Sequence, residues 1–448
     1  MRRLNLEAVD NPVTSLVRSQ RRIAGGDASD RQHPVAARAR ALPLRDRWLP
    51  RSLILPSALA CGVALLGCSG GPAPVAVTPV PAAPAPAAPA APTPVAPALP
   101  APVAPIPDGA ITVRVLPAPT YVELRDGEQL VNCDLLVTNT STADWKLIDL
   151  QVSAFDRAGT LGIRKFLNGN GVSPSITTIP NRELAAGKRV LVLNPLYEFP
   201  RDLELGRLRF ELTYARTAGE QRMTAMVEVS PIVYANHARL KLPIRGRFIV
   251  WDGHDFLAHH RRWDYMFEPI RALGFDSNSG RYSYDLIPID EAGAMVHGDE
   301  ANNASWLGFG APIYAPAPGT IVAVVDDRPD DRKFDTAALK TDLLAVFGNY
   351  VVLDHGHGEV SVFGHIQQHS AKQKVGARVS AGQVLAAIGA SGSSLMPHLH
   401  YQLQTTPTGH AEGLPSYFED FTRIRGRKRI EVPVGQIDSG DIIISQER

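Results

Sequence analysis

Between Pro72 and Pro107 the chain sets 14 prolines among residues that are almost all Ala, Val, Thr and Leu. Proline fixes φ and removes a backbone donor, so neither helix interiors nor sheet ladders tolerate that density. Large apolar side chains that build a core are missing too. The stretch reads as a polyproline II tether, rising about 3.1 Å per residue and reaching on the order of 110 Å. It divides the 448 residues into a leader at 1–68, a linker at 69–109 and a folded remainder, with room overall for two or three domains. A net charge of +1 gives no reason to expect a nucleic-acid partner.

Residues 1–51 are Arg-rich, and an apolar run from Leu53 to Leu66 follows, ending in small residues. These are the parts of a secretory signal, and the run is too short and too interrupted for a membrane span. Leu65-Leu66-Gly67-Cys68 resembles a bacterial lipobox. That resemblance implies cleavage before Cys68, lipidation of Cys68 and a lipid-anchored place in the bacterial cell envelope, facing the periplasm. The signal lies far from Met1, so either translation starts downstream or the first residues are a dispensable leader. With Cys61 removed and Cys68 acylated, Cys133 has no partner for a disulfide and is expected as a small buried hydrophobe in a strand.

The fold expected is mainly β. Over residues 110–240, runs such as Ala110–Leu116, Asp134–Asn139, Lys146–Phe155, Lys188–Leu193 and Arg207–Tyr214 alternate or run apolar between Gly- and Asn-rich turns. Short strands at this spacing predict an immunoglobulin-like β-sandwich. No catalytic cluster falls there, so a positioning, partner-binding or spacer role is the default.

Beyond it lies a His-rich connecting segment, 241–279, with His254, His259 and His260. The densest chemistry comes later. His398 and His400 stand one residue apart in an apolar run, which a strand projects to one face, roughly 6.5–7 Å apart. Four further blocks precede them. The first is a strand, Tyr282-Ser-Tyr-Asp285-Leu-Ile-Pro288, and the second is Pro312-Ile-Tyr-Ala-Pro-Ala-Pro-Gly319-Thr-Ile-Val-Ala-Val. The third, Gly348-Asn-Tyr-Val-Val-Leu-Asp354 running on to Phe363-Gly-His365, reads as a hairpin turning at His355-Gly-His-Gly358. The fourth runs from Val375 to Gly389.

In order and wording these blocks resemble the lysostaphin-type zinc metallopeptidases over residues 280–405. The resemblance implies an antiparallel β-sheet domain, placed at 280–430 with a tail at 431–448, that cuts peptide bonds of peptidoglycan with one Zn2+. It also implies Asp285 and His400 as zinc ligands, His398 as catalytic and His365 as its partner. Where that family carries the histidine of an HxxxD motif, this chain has Arg281, which cannot donate a lone pair to a metal. A third ligand must come from elsewhere, with His260 or His259 as candidates, or the site is degenerate. Two functions follow: a cell-envelope zinc endopeptidase acting on wall peptides, or a degenerate peptidase-fold lipoprotein that binds peptidoglycan or activates a partner wall hydrolase. His355 and His357 are expected in solvent, 335–348 as an inserted helix at the groove edge, and Asn349 and Tyr282 as groove-lining residues.

Overall fold

The computed structural model describes residues 110–217 and 220–445. The leader, Cys68 and the linker at 69–109 lie outside the described residues.

Two antiparallel sheets make a sandwich. Ile111–Leu116, Asp134–Asn139 and Arg189–Leu193 form one. Arg222–Val229, Arg207–Arg216, Trp145–Phe155 and Leu161–Asn168, in that order, form the other. Strict alternation sorts the strand Arg207–Arg216: Leu208, Phe210, Leu212 and Tyr214 are all fully buried, as period two requires of a strand with one wet face. They pack with Leu135, Val137, Leu147, Leu150 and Val152; each buried Leu, Val or Phe is worth about 1.5–3 kcal/mol. Cys133 is buried in this core, and burial pushes its thiol up to about 12.

The second body is built on a twelve-stranded sheet. Its central strands are β1 (Gly246–Asp252), β2 (Tyr284–Pro288), β3 (Gly319–Val325), β4 (Tyr350–Asp354), β5 (Val360–Gly364), β6 (Leu399–Gln404), β7 (Phe418–Arg425) and β8 (Ile442–Ser445). They lie in the order β7-β8-β1-β2-β6-β5-β4-β3, every neighbour antiparallel.

Three expectations need correction. The segment 241–279 is more than a connection, because β1 pairs with β2 inside the sheet. The expected tail at 431–448 is, over its described residues to 445, part of the sheet: Ile442-Ile-Ile-Ser445 is rich in β-branched residues and inserts between β1 and β7. No inserted α-helix forms over 335–348. Two 3₁₀ turns, Thr336–Lys340 and Leu343–Phe347, stand there instead. Asp335 accepts from Ala337 N and Asp342 from Leu344 N, each at 2.9 Å, so two caps start two separate turns.

The two bodies share a contact layer. Leu136, Leu191 and Leu193 of the sandwich pack with Tyr265, Ile270, Phe275, Leu339 and Leu343.

Candidate metal centre

Sheet register brings the polar residues into one row. Asp252 on β1 faces Asp285 on β2, Asp285 faces His400 on β6, and His400 faces Gly364 at the end of β5. His365 follows directly and turns back with φ +58, a left-handed conformation uncommon for a side-chain-bearing residue. Its amide donates to Phe347 O at 3.0 Å, which holds it there.

Asp285 Oδ1 is the focus. It lies 3.1 Å from His400 Nδ1, 3.4 Å from His398 Nε2 and 3.6 Å from His260 Nε2. One ligand atom from each of His260, Asp285 and His400 lies within 4.8 Å of the other two. The rings of His365 and His398 are 4.7 Å apart, and Phe347 stacks on His400 at 4.4 Å. All five polar side chains are largely or wholly shielded from solvent.

The structure thus brings Asp285, His365, His398, His400 and His260 together. His259 turns outward, half-exposed, with Nδ1 2.9 Å from Asp252 Oδ2. His254 is buried elsewhere, 2.9 Å from Glu123. Arg281 is withdrawn from the site: its Nη1 donates to Asp134 Oδ2 at 2.5 Å. Asn349 and Tyr282 line no groove. Asn349 is fully buried and clamps the Arg328 backbone through both ends of its amide, and Tyr282 is buried against the His254 ring. His355 lies at the hairpin, with Nδ1 near Pro318 O and Nε2 near Ser361 Oγ, both at 2.8 Å.

Several site residues went unread in the sequence. Gln402 and Gln404 continue the alternation of His398 and His400 on β6, which was the available signal. Gln404 Nε2 donates to Thr406 O at 2.5 Å and Thr408 O at 3.1 Å, so its oxygen must accept from Gln402 Nε2. Gln402 Oε1 then faces His400 Nε2 at 2.9 Å. In the neutral imidazole the proton then sits on Nε2, and Nδ1 turns its lone pair toward Asp285. Asp252 does the parallel job for His260, with Oδ2 2.8 Å from Nδ1, though out of line for a good hydrogen bond. That leaves Nε2 of His260 toward Asp285.

Electrostatics agree with a site built for positive charge. Burial alone would raise the Asp285 carboxyl; the neighbouring imidazoles of His260 and His398, with a hydrogen bond from His398 Nε2, hold it well below the usual range. Burial, reinforced by His398 and His400, pushes the His365 imidazole well down. A bare imidazole lone pair facing a carboxylate at 3.1 Å repels it unless a cation lies between. Two histidine nitrogens and one carboxylate are the donor set that catalytic zinc takes, with a position left open.

Residues 307–411 match the model of peptidase family M23, so the chain carries an M23 domain in its C-terminal part. His365, His398 and His400 fall inside that match; His260 and Asp285 precede it. Among curated proteins, the chain is 37% identical over 70 residues to "Murein hydrolase activator EnvC" of Escherichia coli, covering 16% of each chain. It is 25% identical over 217 residues to "Peptidoglycan DD-endopeptidase ShyA" of Vibrio cholerae, covering 48% of this chain and 44% of that one. The chain thus spans less than half the length of either relative. Among solved structures, the catalytic domain of lysostaphin from Staphylococcus simulans is 21% identical with a TM-score of 0.20, covering 31% of this chain and 79% of that one.

Proposed function

We propose that the chain is a zinc metalloendopeptidase that hydrolyses peptide cross-links of bacterial peptidoglycan, held in the cell envelope by a lipid on Cys68. The observation that carries this is His260: where Arg281 is unable to ligate, a histidine from another segment stands beside Asp285 and His400. The name of the ShyA relative supports peptidoglycan as substrate.

His260 Nε2, Asp285 and His400 Nδ1 would hold the ion. Zinc, when bound, supplies Lewis acidity to the scissile carbonyl and lowers the pKa of water. His365 donates Nδ1–H to Ser391 O at 2.8 Å and so presents a bare Nε2, suited to accepting a proton. His398 donates Nδ1–H to Met396 O at 2.8 Å, which frees Nε2 to carry a proton to the leaving amine. The C–N bond breaks, a C–O bond to water forms, and the water's protons end on the two products. Phe347 stacked on His400 screens one side of the site from solvent.

A second reading, activation of a partner wall hydrolase, is favoured by the local identity to EnvC. Metal content decides first. The full chain, purified without chelators, is expected to hold close to one zinc and to cleave wall peptides, and His260→Ala to lose both. Cleavage that survives His365→Ala and His398→Ala would overturn the assigned roles. A metal-free wild type that cleaves nothing would leave the activator reading.

A further inference from the structure

The loop that delivers His260 is fastened to its own body, where Asn278 Nδ2 donates to His260 O at 3.1 Å and Gly253 N to Ser439 Oγ at 2.8 Å, and also to the sandwich. His254 Nε2 meets Glu123 Oε2 at 2.9 Å, and Asp264 Oδ2 accepts from Asn181 Nδ2 at 2.9 Å. Between these two ties Arg261, the residue after His260, donates from Nη1 to Asp134 Oδ1 at 2.7 Å and from Nη2 to Cys133 O at 3.0 Å. The other oxygen of Asp134 accepts from Arg281 at 2.5 Å. Asp134 and Arg281 are fully buried, and Arg261 nearly so.

One sandwich carboxylate therefore grips both approaches to the centre. Arg261 adjoins His260, and Arg281 stands four residues before Asp285, where the resembling family has its own ligand. Arg281 and the relocated histidine belong to one arrangement: the arginine occupies the carboxylate, and the same carboxylate anchors the loop that brings the replacement. The planar guanidinium of Arg261, held by a carboxylate and a carbonyl together, fixes direction as well as distance.

We propose that Asp134 is a positioning residue of the metal centre, and that the sandwich serves to hold His260 within ligating range of Asp285 and His400. This rests on the metal-centre reading above. The sandwich then acts in the chemistry without touching substrate.

The test is cobalt binding by the full chain, followed by the visible spectrum at saturation, with thermal unfolding as a separate readout. The variants are Asp134→Asn, Arg261→Met and His260→Ala. Arg261→Met leaves Asp134 paired with Arg281, so it decides the matter even if Asp134→Asn does not fold. The expected result is at least about tenfold weaker binding in both positioning variants, in line with losses seen when groups behind metal ligands are removed. Their spectra should shift toward that of His260→Ala. A folded Arg261→Met that binds cobalt with unchanged affinity and spectrum would overturn the proposal while leaving the metal centre standing. No cobalt binding by the wild type would instead remove the metal centre, and this proposal with it.

Discussion

Arg281→His restores the HxxxD pattern that the resembling peptidases carry, and by motif alone it should improve metal binding. The structure predicts the opposite. Arg281 is fully buried, and its Nη1 bonds Asp134 at 2.5 Å in the gap between sandwich and sheet. Removing one partner of a buried ion pair costs about 3–5 kcal/mol. Two features reduce that figure. Asp134 keeps Arg261, at 2.7 Å. Nε and Nη2 of Arg281 have no hydrogen-bond partner among the described residues, with Glu412 at 3.5 Å from Nε, so some of its own desolvation is uncompensated. A net loss of about 2–3 kcal/mol results. For a body of this size that lowers Tm by roughly 4–12 °C, at about 2–4 °C per kcal/mol. Thermal unfolding followed by circular dichroism, with zinc titration of the same samples, measures both quantities. An Arg281→His protein that is as stable as wild type and binds zinc more tightly would refute the argument.

Other outcomes can be checked alongside. Gln402→Leu removes the acceptor that keeps the proton on His400 Nε2, and zinc affinity should fall about 10–100-fold by competition titration, with Gln402→Glu losing less. Gly392→Ala should destabilise by at least about 1–3 kcal/mol in chemical denaturation, because its Cβ would come within 2.2 Å of Gly348 N at φ +70. Stability should also fall on acidification. Burial raises the Asp134 and Glu123 carboxyls, but Arg261 and Arg281 beside the first, and His254 and Arg125 beside the second, bring them below their ordinary values. Their folded pKa lies under the unfolded one, so the contribution is complete above about pH 4 and is lost as pH falls through the folded values. A flat unfolding midpoint from about pH 5 to about pH 3 would count against both pairs.

Much of the sheet could be read from local pattern, because β4, β5 and β6 alternate or run apolar between clear turns. His365, His398, His400 and Asp285 stood out through the resemblance of their blocks, and His260 only as one of several nearby histidines. What separates His260 from His259 is tertiary: Asp252 takes both Nδ1 atoms, and only the His260 ring also reaches Asp285. The place of Arg281 was illegible for the same reason. Its partner lies 147 positions away, in another domain. Helical spacing over 335–348 misled because Asp335 and Asp342 each cap a new turn, and local capping outweighed periodicity.

The seating of β8 between β1 and β7 has a consequence for how the molecule is made. Gly246 pairs with Ser445 and Ile249 with Ile442, so the strand that ends in Asp252 lacks its edge partner until nearly all of the described chain is present. Closing so long a loop is entropically costly and slow. A chain emerging residue by residue would present β1 with β2 as its one sheet neighbour until residues 442–445 arrive. Closure of this side of the sheet is therefore a late step in assembly.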